Sequence, residues 1–268
     1  MARPLLFWRV AAAALHPCAD RTPAGAPLRP FNGNGLISRQ NIAIVEIIVS
    51  SGIRSICPGF VGACVEAEVE NPAENPGLGE EMSRCEARLK ATLDTEGVKS
   101  LPPVEATRRV YRLCGKDPSR YRPAAEALMR RVLQGKGLYR IGTLVDLVNL
   151  ASMESGYSIG GFDAGMVAGP RLTLGIGREG EPYEGIGRGR VNIAGLPVYR
   201  DGVGGIGTPT CDHERTKITP ATSRLLCLVN GYDGDRAGVE RTALRIAGLC
   251  RKYAAGAGCR ISFYGAAV

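Results

Sequence analysis

The residues best able to carry out chemistry are concentrated in one stretch, CDHERTKIT, which runs from Cys211 to Thr219. Asp212, His213 and Glu214 follow one another there, and Lys217 comes three residues later. Carboxylates and an imidazole can move protons to and from a reacting ester, so one interpretation is an acid/base or water-positioning loop. Loops are commonly polar, and the other interpretation is a charged surface turn.

Other catalytic groups are scarce. His16 and His213 are the two histidines of the chain. A nucleophilic Cys211 activated by His213 is disfavoured, because neighbouring residues of one loop rarely point at each other. The nine cysteines form no C-x-x-C pair, which argues against zinc and against a redox dithiol. We therefore expect reduced, mostly buried thiols, no metal and no cofactor.

Two glycine-rich stretches, residues 175–180 and 202–207, match the pattern G-x-G-x-x-G. This pattern binds a dinucleotide only where a strand precedes it and a helix follows, because the helix N-terminus holds the pyrophosphate. Neither stretch has that context, so both are predicted to be turns between strands. Glycines still let a ligand approach the backbone, and Gly204, Gly205 and Gly207 are therefore candidates for lining a substrate pocket.

Composition narrows the class of protein. The 268 residues are 44% hydrophobic and 22% charged, which favours a globular chain over a disordered one. The 34 Lys and Arg residues exceed the 26 Asp and Glu residues, giving a net charge of +8. That excess favours an anionic partner such as nucleic acid, although a basic solvated surface is the alternative. Arg130, Arg131 and Lys136 lie at the end of a predicted helix, where they contact either phosphate or solvent.

Both helices and strands are predicted to position these residues. Residues at three- and four-residue spacing predict helices at Glu80–Leu93, Val104–Cys114, Ala124–Leu133 and Val239–Tyr253. Alternating or β-branched runs predict strands at Asn41–Ser50, within Ile53–Val69, and at Arg171–Ile176, Gly189–Ile193, Leu196–Tyr199, Ser223–Val229 and Arg260–Tyr264. The apolar run near Leu144 predicts a strand or the start of a helix.

Residues 1–40 differ from the rest of the chain. They combine a positive start, an apolar run interrupted by Arg9 and a Pro/Gly-rich loop, which loosely imitates a signal peptide. The run is too short to span a bilayer, so we expect no membrane association. A poorly ordered leader or an over-long start is preferred to an export signal, which leaves residues 41–268 as one domain.

The stretch Tyr121–Asp163, YRPAAEALMRRVLQGKGLYRIGTLVDLVNLASMESGYSIGGFD, resembles free-standing proteins built from the B3/B4 domain. That domain is the editing domain of the phenylalanyl-tRNA synthetase beta subunit. The resemblance continues through the turn at Glu181, the segment GLPVYRDGVGGIG and the segment DHERTKITPAT, which ends at Thr222. It implies an α+β fold, with a mixed, partly barrel-like β-sheet core flanked by helices in a single B3/B4-like domain.

The resemblance also implies a function. In the synthetase, this domain hydrolyses tyrosine wrongly esterified to the tRNA for phenylalanine. The implied activity is a cytoplasmic aminoacyl-tRNA deacylase, with tRNA or aminoacyl-tRNA as its partner and with contacts from Arg130, Arg131 and Lys136. The alternative is a non-catalytic module that binds RNA, an amino acid or an aminoacyl adenosine and has lost the hydrolytic groups.

The family's site residues are only partly present. Its Thr-Asn pair falls on Val148 and Asn149, so the Asn is retained as a candidate substrate-binding residue while the hydroxyl is lost. Its His falls on Gly160, and its editing Glu falls on Lys217. The missing groups favour a binding module. The acidic loop, with Asp212, His213 and Glu214 as candidate catalytic residues, favours hydrolysis.

Overall fold

The computed structural model describes residues 45–266, so the predicted leader lies outside the described residues. A run of helices is followed by a run of strands along this part of the chain, which confirms the α+β prediction. The six helices described are α1 (Ser51–Ile56), α2 (Pro76–Thr92), α3 (Pro102–Leu113), α4 (Ala124–Leu133), α5 (Thr143–Ser155) and α6 (Arg236–Tyr253). None of them is long and apolar enough to cross a membrane.

The described strands form two four-stranded sheets and one short hairpin. The strands are β1 (Glu46–Val49), β2 (Val61–Glu68), β3 (Ile159–Asp163), β4 (Arg171–Ile176), β5 (Glu184–Gly185), β6 (Gly189–Arg190), β7 (Pro197–Arg200), β8 (Gly205–Gly207), β9 (Arg224–Gly231) and β10 (Ala257–Gly265). The first sheet has the order β1-β4-β7-β8, with β1 and β4 parallel and the other pairs antiparallel. The second sheet is antiparallel, in the order β10-β2-β9-β3.

The second sheet separates two apolar cores, because successive side chains of a strand point to opposite faces. On β9, Leu225, Cys227 and Val229 face a core built with the helices, whereas Leu226 and Leu228 face a core shared with the first sheet. The helical core draws on α2, α4, α5 and α6. Both sheets contribute buried residues to the second core. The described part of the chain is therefore layered as sheet, sheet and helices, and neither sheet closes into a barrel.

Three local predictions from the sequence need correction or completion. The strand predicted within Ile53–Val69 begins only at Val61, because the preceding residues form α1, whose first turn Ser50 caps by accepting a hydrogen bond from Ile53 N. The strand predicted at Gly189–Ile193 is reduced to the two residues of β6. The apolar run near Leu144 is a helix, α5.

Strand β3 is an edge of the second sheet, and the loop after β8 covers part of that edge. Lys217 pairs with Phe162 as an antiparallel bridge. Asp212 reaches the same strand, since one of its carboxylate oxygens accepts a hydrogen bond from the Gly161 backbone. Because Asp212 also bridges to Gly207 of β8, this loop connects the free edge of the second sheet to the end of the first.

Candidate functional site

Asp212 lies between the two sheets and is held by backbone contacts. Its main chain pairs with that of Gly207, and Gly161 N–H donates a hydrogen bond of 3.1 Å to its Oδ2. Oδ1 accepts no hydrogen bond from any residue that the structure describes. The carboxyl group is therefore fixed through one oxygen, while the other is available to a ligand or a water molecule.

Glycines stand on both strands beside Oδ1, and the buried ring of Phe162 occupies the space that their missing side chains leave. A Cβ atom placed on Gly207 would lie 2.9 Å from Asp212 Oδ1 and 2.5 Å from Cζ of Phe162. A Cβ on Gly160 would lie 3.4 Å from the same oxygen and 2.6 Å from the same ring carbon. A side chain at Gly207 would thus collide with both the ring and the carboxyl group, which explains why glycine is required at this approach.

The chemical state of Asp212 follows from this setting. Burial disfavours the charged form and raises the pKa of Asp212 to about 7, while the single hydrogen bond from Gly161 opposes that shift. A carboxyl group with a pKa near neutrality exchanges protons readily at the pH of the cell. Asp212 is therefore the described residue of this loop best suited to general acid/base chemistry.

His213 and Glu214 point to other partners. The His213 ring packs edge-on against Tyr183, with 5.0 Å between ring centroids, and its Nδ1 accepts a hydrogen bond of 2.9 Å from Arg215 N. Burial and then the Arg215 charge lower the pKa of His213. Glu214 pairs with Lys217 at 2.5 Å and accepts a hydrogen bond from Gly187 N at 3.1 Å. The three consecutive residues are adjacent in sequence but do not converge on one point.

Cys211 is not activated by its neighbours. Its sulfur faces Gly185, where an added Cβ would lie 3.1 Å from Sγ, and burial raises the pKa of the thiol to about 11. A thiol with such a pKa carries almost no thiolate at neutral pH, so it is a poor nucleophile. No group of His, Cys, Asp and Glu within residues 45–266 could hold a metal ion.

The positions that the family resemblance singled out lie around β3. Val148 on α5 is buried, and its methyl groups lie 3.4 and 3.6 Å from a Cβ placed on Gly161. Lys217 pairs with Phe162 of β3 through an antiparallel bridge. Gly160 adjoins the Asp212 carboxyl group, as described above. Asn149 is partly exposed on α5 and makes no side-chain hydrogen bond to a described residue.

Comparison with known families identifies the family to which the chain belongs. A sequence model described as the B3/4 domain matches residues 106–247, which is more than half of the chain. The chain belongs to the B3/4 domain family. The match includes β3, α5 and the whole of the Asp212 loop.

Solved structures similar to the B3/4 chain include a fragment of a larger protein. It is an N-terminal fragment of the phenylalanyl-tRNA synthetase beta subunit from Pyrococcus horikoshii, with 12% sequence identity and a TM-score of 0.41. The alignment covers 81% of this chain and 50% of the fragment, so the chain spans about half the length of that neighbour. A comparison with curated proteins finds no match.

The three glycines predicted to line a pocket of the B3/4 domain, Gly204, Gly205 and Gly207, do not all lie beside Asp212. Gly207 adjoins Asp212. Gly205 faces the ring of Tyr183, which lies 3.0 Å from a Cβ placed there, and Gly204 has open space around it in the turn between β7 and β8. Both G-x-G-x-x-G stretches lie at strand ends and loops, without a following helix, as the sequence predicts.

The three basic residues predicted to contact tRNA differ in availability. Arg130 donates a hydrogen bond of 2.7 Å to the Thr95 carbonyl oxygen, so its guanidinium is committed to the fold. Arg131 stacks over Tyr139 with its Cζ 4.2 Å from the ring centroid, and that ring is half exposed. Lys136 is exposed beyond the end of α4. Arg131 and Lys136 are therefore accessible, whereas Arg130 has a structural partner.

The sequence indicated Asp212 as a candidate residue, but it did not indicate which residues surround its carboxyl group. The CDHER pattern identified the loop, whereas nothing in the residue spacing indicated that Gly160, Gly161 and Phe162 would surround the carboxyl group. These residues lie about fifty positions earlier in the chain and reach it only through sheet pairing. The polar residue that the family resemblance places at position 160 was a local indication that this strand borders the site.

Proposed function

We propose that this B3/4 protein is an aminoacyl-tRNA deacylase that removes a wrongly attached amino acid by ester hydrolysis. One observation carries the proposal: the half-buried Asp212 carboxyl group has its pKa raised to about 7, and one of its oxygens accepts no hydrogen bond from a described residue. Hydrolysis of a tRNA ester needs a base that takes a proton from water, and Asp212 meets this requirement.

The reaction assigns one role to Asp212. Its ionised carboxylate accepts a proton from a water molecule as the water oxygen bonds to the ester carbonyl carbon. The tetrahedral intermediate then collapses, the bond to the ribose oxygen breaks, and the proton passes from Asp212 to that oxygen. The products are the free amino acid and the tRNA with its hydroxyl restored. A group whose pKa is close to the working pH is effective in both proton transfers.

The position of Asp212 also bears on the polar group that the resemblance expects at Gly160. A Cβ at Gly160 would lie within contact distance of Asp212 Oδ1. The carboxyl group from the loop after β8 thus stands where a side chain from β3 is missing. This supports hydrolysis by Asp212. Under the proposal, Asp212 in the loop after β8 takes the role that the family gives to a polar side chain at position 160 of β3.

Recognition of the RNA falls to the basic surface around α4 in this proposal. Arg131 and Lys136 are accessible cations, and the Arg131–Tyr139 stack offers a flat charged surface to the ribose-phosphate chain. Binding led by phosphates weakens as salt is added. The free thiols described at eight positions fit a reducing compartment, and we place the activity in the cytoplasm.

A second candidate function is a binding module without catalysis. It is favoured by Val148, which puts methyl groups beside β3 where the family has a hydroxyl, and by Lys217, which stands where the family has its glutamate. Under this alternative, Asp212 fastens the edge of β3 through Gly161 and performs no proton transfer. The protein would then bind an aminoacyl adenosine or RNA and release it unchanged.

The deciding experiment compares Asp212→Asn with the native protein on a panel of correctly and incorrectly charged tRNAs. Asparagine retains the shape and can accept the Gly161 hydrogen bond, but it cannot take a proton. We expect hydrolysis to fall by about 100-fold or more, the usual contribution of a general base. Glu240→Gln, an exposed change on α6, is the matched control and should hydrolyse the same ester at the native rate.

Two results would contradict the proposal. Native protein that folds and accelerates the loss of no ester favours the binding module. Hydrolysis that persists unchanged in Asp212→Asn removes Asp212 from the mechanism.

A further inference from the structure

A groove of about 520 Å³ lies on the outer face of the first sheet. Ser50, Arg171, Thr173, Gly175, Arg178 and Arg200 line it, together with the start of the turn after β7. Hydroxyl and guanidinium groups are hydrogen-bond donors, so the groove presents mainly donors and positive charge. Such a lining suits an anion rather than an apolar ligand.

Arg200 is held rigidly across the floor of this groove. Its Nε and Nη2 donate to the two carboxylate oxygens of Glu181, each at 2.6 Å, and Nη2 also donates to the Ile176 carbonyl oxygen at 2.9 Å. Nη1 makes no hydrogen bond to a described residue. The guanidinium is therefore fixed by two of its nitrogens and presents the third to a ligand without further loss of side-chain freedom.

Gly175 opens the floor beneath that free nitrogen. A Cβ atom at Gly175 would lie 2.9 Å from Arg200 Nη1 and 3.6 Å from Ser50 Oγ. Because Gly175 has no side chain, none stands between Arg200 Nη1 and Ser50 Oγ on this face of the sheet. A small oxyanion placed there can accept hydrogen bonds from Arg200 and Ser50 together.

Most charges around the groove have opposite partners. Arg171 pairs with Glu46 at 2.8 Å, and Asp201 pairs with Arg215 through two hydrogen bonds of 2.8 and 3.0 Å. These pairs leave little net charge at that end of the groove. The Asp201–Arg215 pair also ties the groove to the loop that carries Asp212.

Arg178 is a lining cation whose side chain makes no hydrogen bond or close ion pair with a described residue, although its charge helps to lower the pKa of Glu181. Its backbone N–H donates to Glu181 Oε2 at 2.8 Å, so its loop is anchored at the groove. The side chain is exposed, and the neighbouring Glu179 is exposed without lining the groove. Arg178 thus supplies an exposed guanidinium with free hydrogen-bond donors beside those of Arg200 and Ser50.

We propose that this groove binds a backbone phosphate of an RNA, with Arg178 and Arg200 as its donors. The phosphate oxygens would accept hydrogen bonds from Arg200 Nη1 and Ser50 Oγ, and Arg178 would balance the remaining charge. The choice of RNA rests on the proposed function and on the link through Arg215 to the Asp212 loop. The anion site itself depends only on the geometry of the groove.

The test measures equilibrium binding of uncharged tRNA, so no ester hydrolysis enters the result. Arg178→Ala should weaken binding about 5-fold and reduce the slope of log K against log salt by about one, as expected for one lost phosphate contact. Arg251→Ala removes the same charge from an exposed position on α6 and should leave both quantities unchanged. Gly175→Ala fills the floor without changing any charge and should also weaken binding.

Equal effects of Arg178→Ala and Arg251→Ala would overturn the proposal, since they would indicate only a general loss of charge. Inorganic phosphate is the second probe, measured by titration calorimetry. Saturable phosphate binding that Arg178→Ala abolishes, with tRNA binding unaltered, would overturn RNA as the source of the anion. Loss of hydrolysis in Asp212→Asn with native tRNA binding in Arg178→Ala would overturn the groove alone and leave the deacylase proposal standing.

Discussion

Two carboxyl groups near the end of the first sheet, Asp201 and Asp212, are both withdrawn from water but have opposite chemistry. Asp201 receives two hydrogen bonds from Arg215 and three more from backbone N–H groups. Asp212 receives one, from Gly161. Burial alone would raise the pKa of Asp201, but its five hydrogen bonds outweigh burial and lower it. At Asp212 burial prevails.

The difference shows that burial does not by itself make a carboxyl group structural or reactive. The number of donors decides, because each hydrogen bond to the charged form offsets part of the cost of removing it from water. Asp201 is a fixed anion that organises a turn. Asp212 is a group whose charge changes near neutral pH, which is the property that a proton-transfer residue requires.

The strongest test of this contrast is the stability of Asp201→Asn against that of Asp212→Asn. Removing the Asp201 charge leaves Arg215 without its anion, and we expect a loss of about 3 kcal/mol in the free energy of unfolding, since Arg215 is only partly exposed. Asp212→Asn should instead raise this quantity at pH 7, by up to about 3 kcal/mol, because the amide still accepts the Gly161 hydrogen bond and carries no charge that burial disfavours. Urea denaturation measures both, and equal losses would erase the distinction.

The pH dependence of stability should have opposite signs at the two sites. The folded pKa of Asp212, about 7, lies above its reference value of 3.8, so its contribution is complete below about pH 4 and is lost as pH rises through 7. The native protein should therefore lose about 3 kcal/mol relative to Asp212→Asn over that range. Asp201, whose pKa is lowered, contributes above its unfolded pKa and loses that contribution as pH falls.

Unfolding free energies measured between pH 4 and pH 8 for the native protein and both variants provide the check. A flat difference between the native protein and Asp212→Asn would show that Asp212 titrates normally.

Substitutions at Gly207, near Asp212, and at Gly204, near Asp201, compare how tightly the two regions are packed. Gly207→Ala would place its methyl group against Phe162 and Asp212, and we expect a loss of about 1–3 kcal/mol, typical of overpacking. Gly204→Ala is the matched control in the turn that Asp201 organises, where no atom lies within 4 Å of an added Cβ. It should be neutral or slightly stabilising. Thermal denaturation of the two variants distinguishes these outcomes, and similar melting temperatures would contradict the described crowding at Gly207.

The smallest effect is expected at Glu214. Its pair with Lys217 is largely exposed, and the hydrogen bond from Lys217 lowers the pKa of Glu214. Such surface pairs contribute little, so Glu214→Gln should cost about 0.5 kcal/mol or less. Hydrolysis should remain near the native rate in the same variant. A loss of activity comparable with that of Asp212→Asn would instead unite the two carboxylates in one site.

Much of the scaffold could be predicted from the sequence, because its signals are local. The spacing of apolar residues in α4 and α6 and the alternation in β4 and β9 are properties of short segments. The error near Ile53 has a local cause as well. The capping hydroxyl of Ser50 begins a helix in a segment whose β-branched residues favoured a strand.

The site could be predicted only in part, because its chemistry depends on partners distant in sequence. Nothing near Asp212 indicated that its hydrogen-bond donor would be Gly161, and nothing near Arg130 indicated that it would bind the Thr95 carbonyl oxygen. The same limit applied to Asp201 and Asp212. Both are followed by polar or glycine residues in the sequence, and only the count of donors in the folded chain separates them.

The loop that carries Asp212 has a consequence for solubility. Strand β3 ends its sheet with unpaired backbone groups, and such edges are templates on which a second molecule can add a strand. Asp212 occupies the Gly161 N–H and Lys217 pairs with Phe162, so the edge is capped by the chain's own residues. Damage to this loop would therefore expose a docking edge for self-association.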